Sequence, residues 1–211
     1  MGILLHGLGG VGKSTVAARL LERLSGYTPI VIYGQINVEE VERLLAEQSR
    51  SEFGQGILKG GLPPMQKLTK FLMQGLNEKD QKVCFVLDNF EANLEAGSDG
   101  KQVIQSCAME PLMALLDSVS QSRKSHRIII TTRYDVDLPV LNHRVNRNPV
   151  AALRGGDLKK KCNRLKAFQS NSPVDPELQV KGKEIADGNP RLLEWLNQVL
   201  LAKGLKKDQI L

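Results

Sequence analysis

Gly7-Leu8-Gly9-Gly10-Val11-Gly12-Lys13-Ser14 fits the pattern GxxxxGK[ST] at every fixed position. The apolar run Ile3-Leu4-Leu5 precedes it, and the helical pattern beginning at Ser14 follows it. Glycine lacks the side chain that would keep backbone N–H groups from curling around an anion, and successive N–H groups in such a turn form a phosphate cradle. The positive end of the following helix faces the same anion. This spacing lets Gly7, Gly9, Gly10, Val11 and Gly12 surround the phosphates of a nucleotide and brings Lys13 to the β- and γ-phosphates. The Ser14 hydroxyl is placed on Mg²⁺ and Thr15 beside the α-phosphate.

A second chemical element is Lys82–Glu91, KVCFVLDNFE. An apolar run leads to Asp88 at the end of a strand, which resembles a Walker B element whose carboxylate supports Mg²⁺, usually through its water shell. Hydrolysis needs a group that orients or deprotonates water. Asn89 follows Asp88 and cannot accept a proton, and Glu91 is the nearest carboxylate. Either Glu91 acts from a displaced position or hydrolysis is slow. A third run, Arg127–Arg133 (RIIITTR), brings Thr131, Thr132 and Arg133 to a strand's carboxyl end, where ligands bind in such folds. An arginine there can contact a γ-phosphate and register its loss.

These residues need a scaffold in which strands and helices alternate. Short apolar runs at Ile3–His6, Pro29–Tyr33, Val83–Asp88 and Arg127–Thr132 read as strands covered on both faces, with a weaker fifth near Leu141–Val145. Helical periodicity fills Ser14–Leu24, Val38–Gln48, Met65–Leu76 and Pro111–Ser120. The order predicts an α/β fold: a P-loop NTPase with a doubly wound, mostly parallel sheet. Ser49–Pro64 and Ala92–Gln102, rich in glycine and polar residues, are expected to be mobile surface insertions. Residues 1–150 are taken as the nucleotide-binding α/β domain and residues 151–211 as a small helical subdomain.

Composition narrows the class further. The chain has 211 residues, long enough for one well-buried domain with an appendage. Its 41% hydrophobic and 25% charged content is ordinary for a globular protein. Cys84, Cys107 and Cys162 share no metal-ligating spacing and read as reduced core thiols, which points to the cytoplasm. No apolar stretch is long enough to span a membrane. The net charge of +6 is concentrated after residue 150. In Asp157–Phe168 the apolar residues Leu158, Cys162, Leu165 and Phe168 share one helical face, which leaves Lys159, Lys160, Arg164 and Lys166 as a solvated surface. No aromatic residues alternate with these bases, so nucleic acid is not the expected partner.

Taken together, Gly7–Thr15, Phe85–Glu91, Ile128–Arg133 and Gly188–Leu196 (GNPRLLEWL) resemble the NB-ARC nucleotide-binding module of the STAND class of P-loop ATPases, in its bacterial form. The order and spacing agree over nearly the whole chain, and the last segment is similar to that family's GxP motif. The resemblance implies that Gly7–Thr15 bind the phosphates of ATP or ADP and that Asp88 supports Mg²⁺. It implies that Arg133 distinguishes ATP from ADP, and that Pro190 packs on the adenine with Gly188 easing the turn. It further implies a signalling switch in which ADP holds a closed state and ATP an open one. Gly188-Asn189-Pro190 also reads simply as a helix start with proline at its first position. Winged-helix, repeat and effector domains of that family have no counterpart here, so protein partners or self-assembly are expected to act through domains outside these residues.

Two other classes share parts of the pattern. A P-loop kinase for a small molecule needs an acceptor pocket and an arginine-rich lid, and no arginine-dense lid is present. A DNA-linked ATPase would use the basic C-terminal part, and its binding would be sensitive to salt.

Overall fold

A computed structural model describes residues 2–49, 51–76, 81–122, 125–139 and 145–202. The residues fall into two compact units. The first comprises the residues up to Gly7 together with Lys13–Pro149, and the second comprises Leu8–Gly12 together with the residues from Val150 onward.

In the first unit the elements run β1 (Gly2–His6), α1 (Lys13–Arg23), β2 (Tyr27–Tyr33), α2 (Val38–Gln48), α3 (Glu52–Lys59), α4 (Pro64–Lys70), β3 (Lys82–Asp88), β4 (Leu94–Ala96), β5 (Gln102–Ile104), α5 (Ser106–Gln121), β6 (Arg127–Thr132) and β7 (Val145–Pro149). Among the described residues, five strands form a sheet in the order β2-β3-β6-β1-β7. Every pairing in it is parallel. Parallel strands present all their carboxyl ends on one edge. His6 is registered with Thr132, and Leu87 with Ile130. The chain leaving β1, β3 and β6 therefore emerges side by side, and β6 lies between the other two.

Apolar alternation in register builds the core. Leu4, Ile30, Phe85, Leu87, Ile128 and Ile130 are buried on one face of the sheet, in one cluster with Leu45 of α2, Leu68 of α4 and Leu112, Leu115 and Leu116 of α5. Helix α1 lies against β1, β3 and β6 with Ala17 buried, and Leu5, Val86 and Ile129 are buried as well. At that face of edge strand β2, Val31 and Tyr33 remain exposed.

Among its described residues the second unit holds three helices, α6 (Gly155–Asn163), α7 (Pro176–Ala186) and α8 (Pro190–Leu201), and a 3₁₀ turn over Lys166–Phe168. Cys162, Ala167, Phe168, Val174, Ala186 and Leu193 form its core, with Leu158, Leu165, Leu192, Leu196 and Leu200 packed against them. The periodic residues Leu158, Cys162, Leu165 and Phe168 thus do share one cluster, although the helix stops at Asn163. Lys160 pairs with Asp157 and Lys161 with Glu194, both at the surface.

Several expectations change. The Ser49–Pro64 stretch contains α3, whose cap is the Ser51 hydroxyl accepting from Gly54 N and which buries Ile57 and Leu58. The Ala92–Gln102 stretch starts a small antiparallel hairpin of β4 and β5. Both were obscured by glycine, because sparse side chains weaken any periodic signal. Helix α5 begins at Ser106 and carries Pro111 inside it. Ala108, Leu112, Leu115 and Val119 bury one face of it, enough to tolerate the backbone hydrogen bond that proline cannot make. The Met65–Leu76 segment is α4 followed by a π turn at Phe71–Gly75. The fifth strand is Val145–Pro149, and residues 141–144 of the expected one lie outside the described residues. Cys84 and Cys162 are buried as expected, but Cys107, in the first turn of α5, is exposed. Burial pushes the Cys84 thiol up to about 11. Among the described residues no helix is long and apolar enough to cross a membrane.

Candidate functional site

Gly7 leaves β1 with φ 144°, and Gly10 and Gly12 have φ 82° and 103°, conformations that side chains disfavour. The sequence places glycine at each of these positions, which allows the strand to reverse into α1 within a few residues.

In the first unit, Lys13 and Ser14 open α1. Lys13 Nζ donates to the Gly7 carbonyl at 2.8 Å, and the residue is buried. Its pKa is lowered, chiefly because burial penalises the ammonium. Glu91 opposes this most strongly, Arg133 adds to the lowering, and Asp88 opposes it weakly. These influences place Lys13 in a single electrostatic neighbourhood with Asp88, Glu91 and Arg133.

The Ser14 hydroxyl donates to Asp88 Oδ1 at 2.8 Å. The Thr131 hydroxyl, from β6, donates to the same oxygen at 2.5 Å. Thr131 Oγ1 also accepts from Asn89 N at 3.1 Å. Thr131 is therefore the brace that fixes Asp88, and this follows from the strand order, since β6 lies between β1 and β3. From the sequence alone, Thr131 stands at the sheet edge without a role. A hydroxyl two residues before Arg133, on a strand adjacent to the acidic one, was the available signal.

Asn89 has φ 60°, ψ 42°, the left-handed region that asparagine tolerates better than most residues. This turn starts a 3₁₀ segment over Phe90–Asn93, which carries Glu91. Arg133 Nε donates to Glu91 Oε1 at 2.9 Å, while Glu91 Oε2 is buried without a hydrogen-bond partner. The two residues singled out separately in the sequence thus form one ion pair.

In the second unit, Leu8–Gly12 sit with the start of α8. Asn189 Oδ1 accepts from Arg191 N and Leu192 N, capping α8, and Pro190 occupies the helix's first position. Gly188 has φ 75°, and its carbonyl accepts from Leu153 N at 2.8 Å. Pro190 is half-buried. The role of Asn189 was missed, although Asn-Pro before an apolar run is a helix-start signal.

The family model for the ATPase family associated with various cellular activities (AAA) matches residues 3–150. The chain belongs to the AAA family. Nucleotide binding follows from membership of that ATPase family, and the parallel five-stranded sheet flanked by helices is its P-loop NTPase fold. Among solved structures, the AAA chain is similar to a Signal Transduction ATPase with Numerous Domains (STAND) protein with a tetratricopeptide repeat sensor from Pyrococcus horikoshii. The TM-score is 0.56 at 16% identity, over 99% of this chain and 29% of that one. At that identity the likeness concerns the fold, and this chain spans less than a third of the neighbour's length. No curated protein sequence matches the AAA chain significantly.

Proposed function

We propose that this AAA chain is an ATP- and ADP-binding switch module of the NB-ARC kind, with slow Mg²⁺-dependent ATP hydrolysis, serving signal transduction. The observation that carries the reading is the phosphate loop whose Ser14 hydroxyl stands 2.8 Å from Asp88 Oδ1, the carboxylate two strands away.

The donor chemistry fits Mg²⁺. Ser14 and Asp88 present hard oxygen donors side by side, and Mg²⁺ sites typically combine one or two such protein oxygens with phosphates and water. Ser14 and Asp88 are the residues that would hold the ion, which when bound offsets the negative charge of the phosphates. Lys13 supplies a cation to the β- and γ-phosphates, and Gly7, Gly9, Gly10, Val11, Gly12 and Thr15 supply N–H and hydroxyl donors. Pro190, at the start of α8, is the residue proposed to pack on the adenine, as the resemblance to the NB-ARC module implies.

The ion pair between Arg133 and Glu91 supports both the slow rate and the switch. Asn89 cannot take a proton, which leaves Glu91 to orient water, and Glu91 is held by Arg133. The arginine is more than half exposed whereas Glu91 is mostly buried, so the arginine is the partner free to swing toward a ligand. A γ-phosphate, more highly charged than a carboxylate, can therefore draw Arg133 away and release Glu91. Nucleotides shift such an equilibrium only through their unequal affinities for its two states, and Arg133 is where ATP and ADP differ. Assembly with partners or with further copies would act through domains outside these residues.

The test is direct. Protein purified from its expression host, denatured and analysed by mass spectrometry, is expected to release ADP. Protein that releases no nucleotide and takes up none when ADP or ATP is added would overturn the proposal.

A further inference from the structure

Asn189 makes hydrogen bonds in two directions. Its Oδ1 accepts from Arg191 N at 3.1 Å and Leu192 N at 3.3 Å, and its Nδ2 donates to the Gly9 carbonyl at 2.8 Å. Since two N–H groups fix which end of the amide is oxygen, the NH₂ group is left facing the phosphate loop. A second observation marks the same approach. A Cβ on Gly10 would stand 2.7 Å from Asn189 Oδ1 and 2.9 Å from Arg191 Cβ, so only glycine fits there. Gly10 also has φ +82°, so its backbone too favours glycine.

We infer that Asn189 is a positioning residue for nucleotide binding, setting the direction of the Gly9–Gly10 peptide in the phosphate loop. The inference rests on the nucleotide-binding reading above. A trans peptide is planar, so the carbonyl of one residue and the N–H of the next point in opposite directions. By holding the Gly9 carbonyl, Asn189 turns the Gly10 N–H the opposite way and makes it available to a phosphate. Glycine residues have no side chain to bias this peptide, and in a loop so rich in them the peptide is otherwise free to flip. Pre-setting its direction removes an ordering cost from binding. The same asparagine caps α8, so the loop's phosphate-binding geometry and the start of that helix depend on one side chain.

The two duties can be separated. Asn189→Asp keeps the cap, since Asp and Asn cap helices about equally, but it replaces the donor by an acceptor facing the Gly9 carbonyl. Asn189→Gly removes the donor without adding charge, at little cost to the cap. ADP affinity is measured by calorimetry on the full chain, alongside thermal unfolding. Both variants are expected to unfold near the wild-type temperature and to bind ADP about tenfold more weakly or worse, the scale of one lost hydrogen bond to a preset group. A pH series provides a readout that a purely structural role would not move. Protonating the introduced carboxyl restores a donor, so the affinity of Asn189→Asp relative to wild type should recover as pH falls from 7 toward about 4. Wild-type affinity in Asn189→Gly overturns the inference, whatever Asn189→Asp does. A wild-type chain that binds no ADP overturns the nucleotide reading itself and the inference with it, whereas equal binding by all three proteins overturns the inference alone.

Discussion

Glu91 and Arg133 show how one contact changes the meaning of two residues. Separately, one is a carboxylate near an acidic motif and the other an arginine at a strand end. Paired at 2.9 Å and both acting electrostatically on Lys13, they form the unit proposed to respond differently to ATP and ADP. Two substitutions separate their roles. Glu91→Gln keeps the shape and removes the base, so ATP turnover should fall by about 10²-fold while ADP affinity stays the same. Turnover at the wild-type rate would remove Glu91 from the mechanism. Arg133→Ala should leave ADP affinity intact and reduce the preference between ATP and ADP, measured by competition titration. Unchanged discrimination would show that Arg133 does not read the γ-phosphate.

At the scale of elements, the parallel register does most of the positioning. The strands β1, β3 and β6 were legible because each is an unbroken apolar run, and the Gly-rich turn and Asp88 follow directly from their ends. The brace from Thr131 to Asp88 was not legible, because it depends on β6 lying between β1 and β3, and strand order is not encoded in any local pattern. Helix α3 and the β4–β5 hairpin were hidden for another reason: glycines interrupt the periodicity that identifies an element. The capping role of Asn189 was readable in principle from Asn-Pro, but its bond to Gly9 joins residues far apart in sequence. Gly188 tests the element scale in the second unit. With φ +75° and a Cβ that would stand 2.1 Å from the Leu153 carbonyl oxygen, it has no room for a side chain. The backbone strain of Gly188→Ala alone costs about 1–2 kcal/mol, and the clash adds to it. Urea denaturation should show a lower midpoint, and an unchanged midpoint would mean that the close approach to Leu153 is not maintained in solution.

For the whole molecule, the strands that bring Gly7, Asp88 and Arg133 to one edge are those the AAA family model covers, and the STAND neighbour shares the fold over nearly the entire chain. The central claim is that this edge binds a nucleotide through its phosphates. Calorimetric titration of the wild-type chain and of Lys13→Ala with ADP in the presence of Mg²⁺ tests it most directly. The substitution removes a buried cation whose Nζ meets the loop at Gly7, and it leaves the sheet untouched. Losing a charged contact to phosphate should weaken binding on the order of a hundredfold. Saturable ADP binding by the wild type that is largely lost in Lys13→Ala, with both proteins folded, is the predicted result. Equal affinity in the two proteins, or no binding by the wild type, would contradict the account.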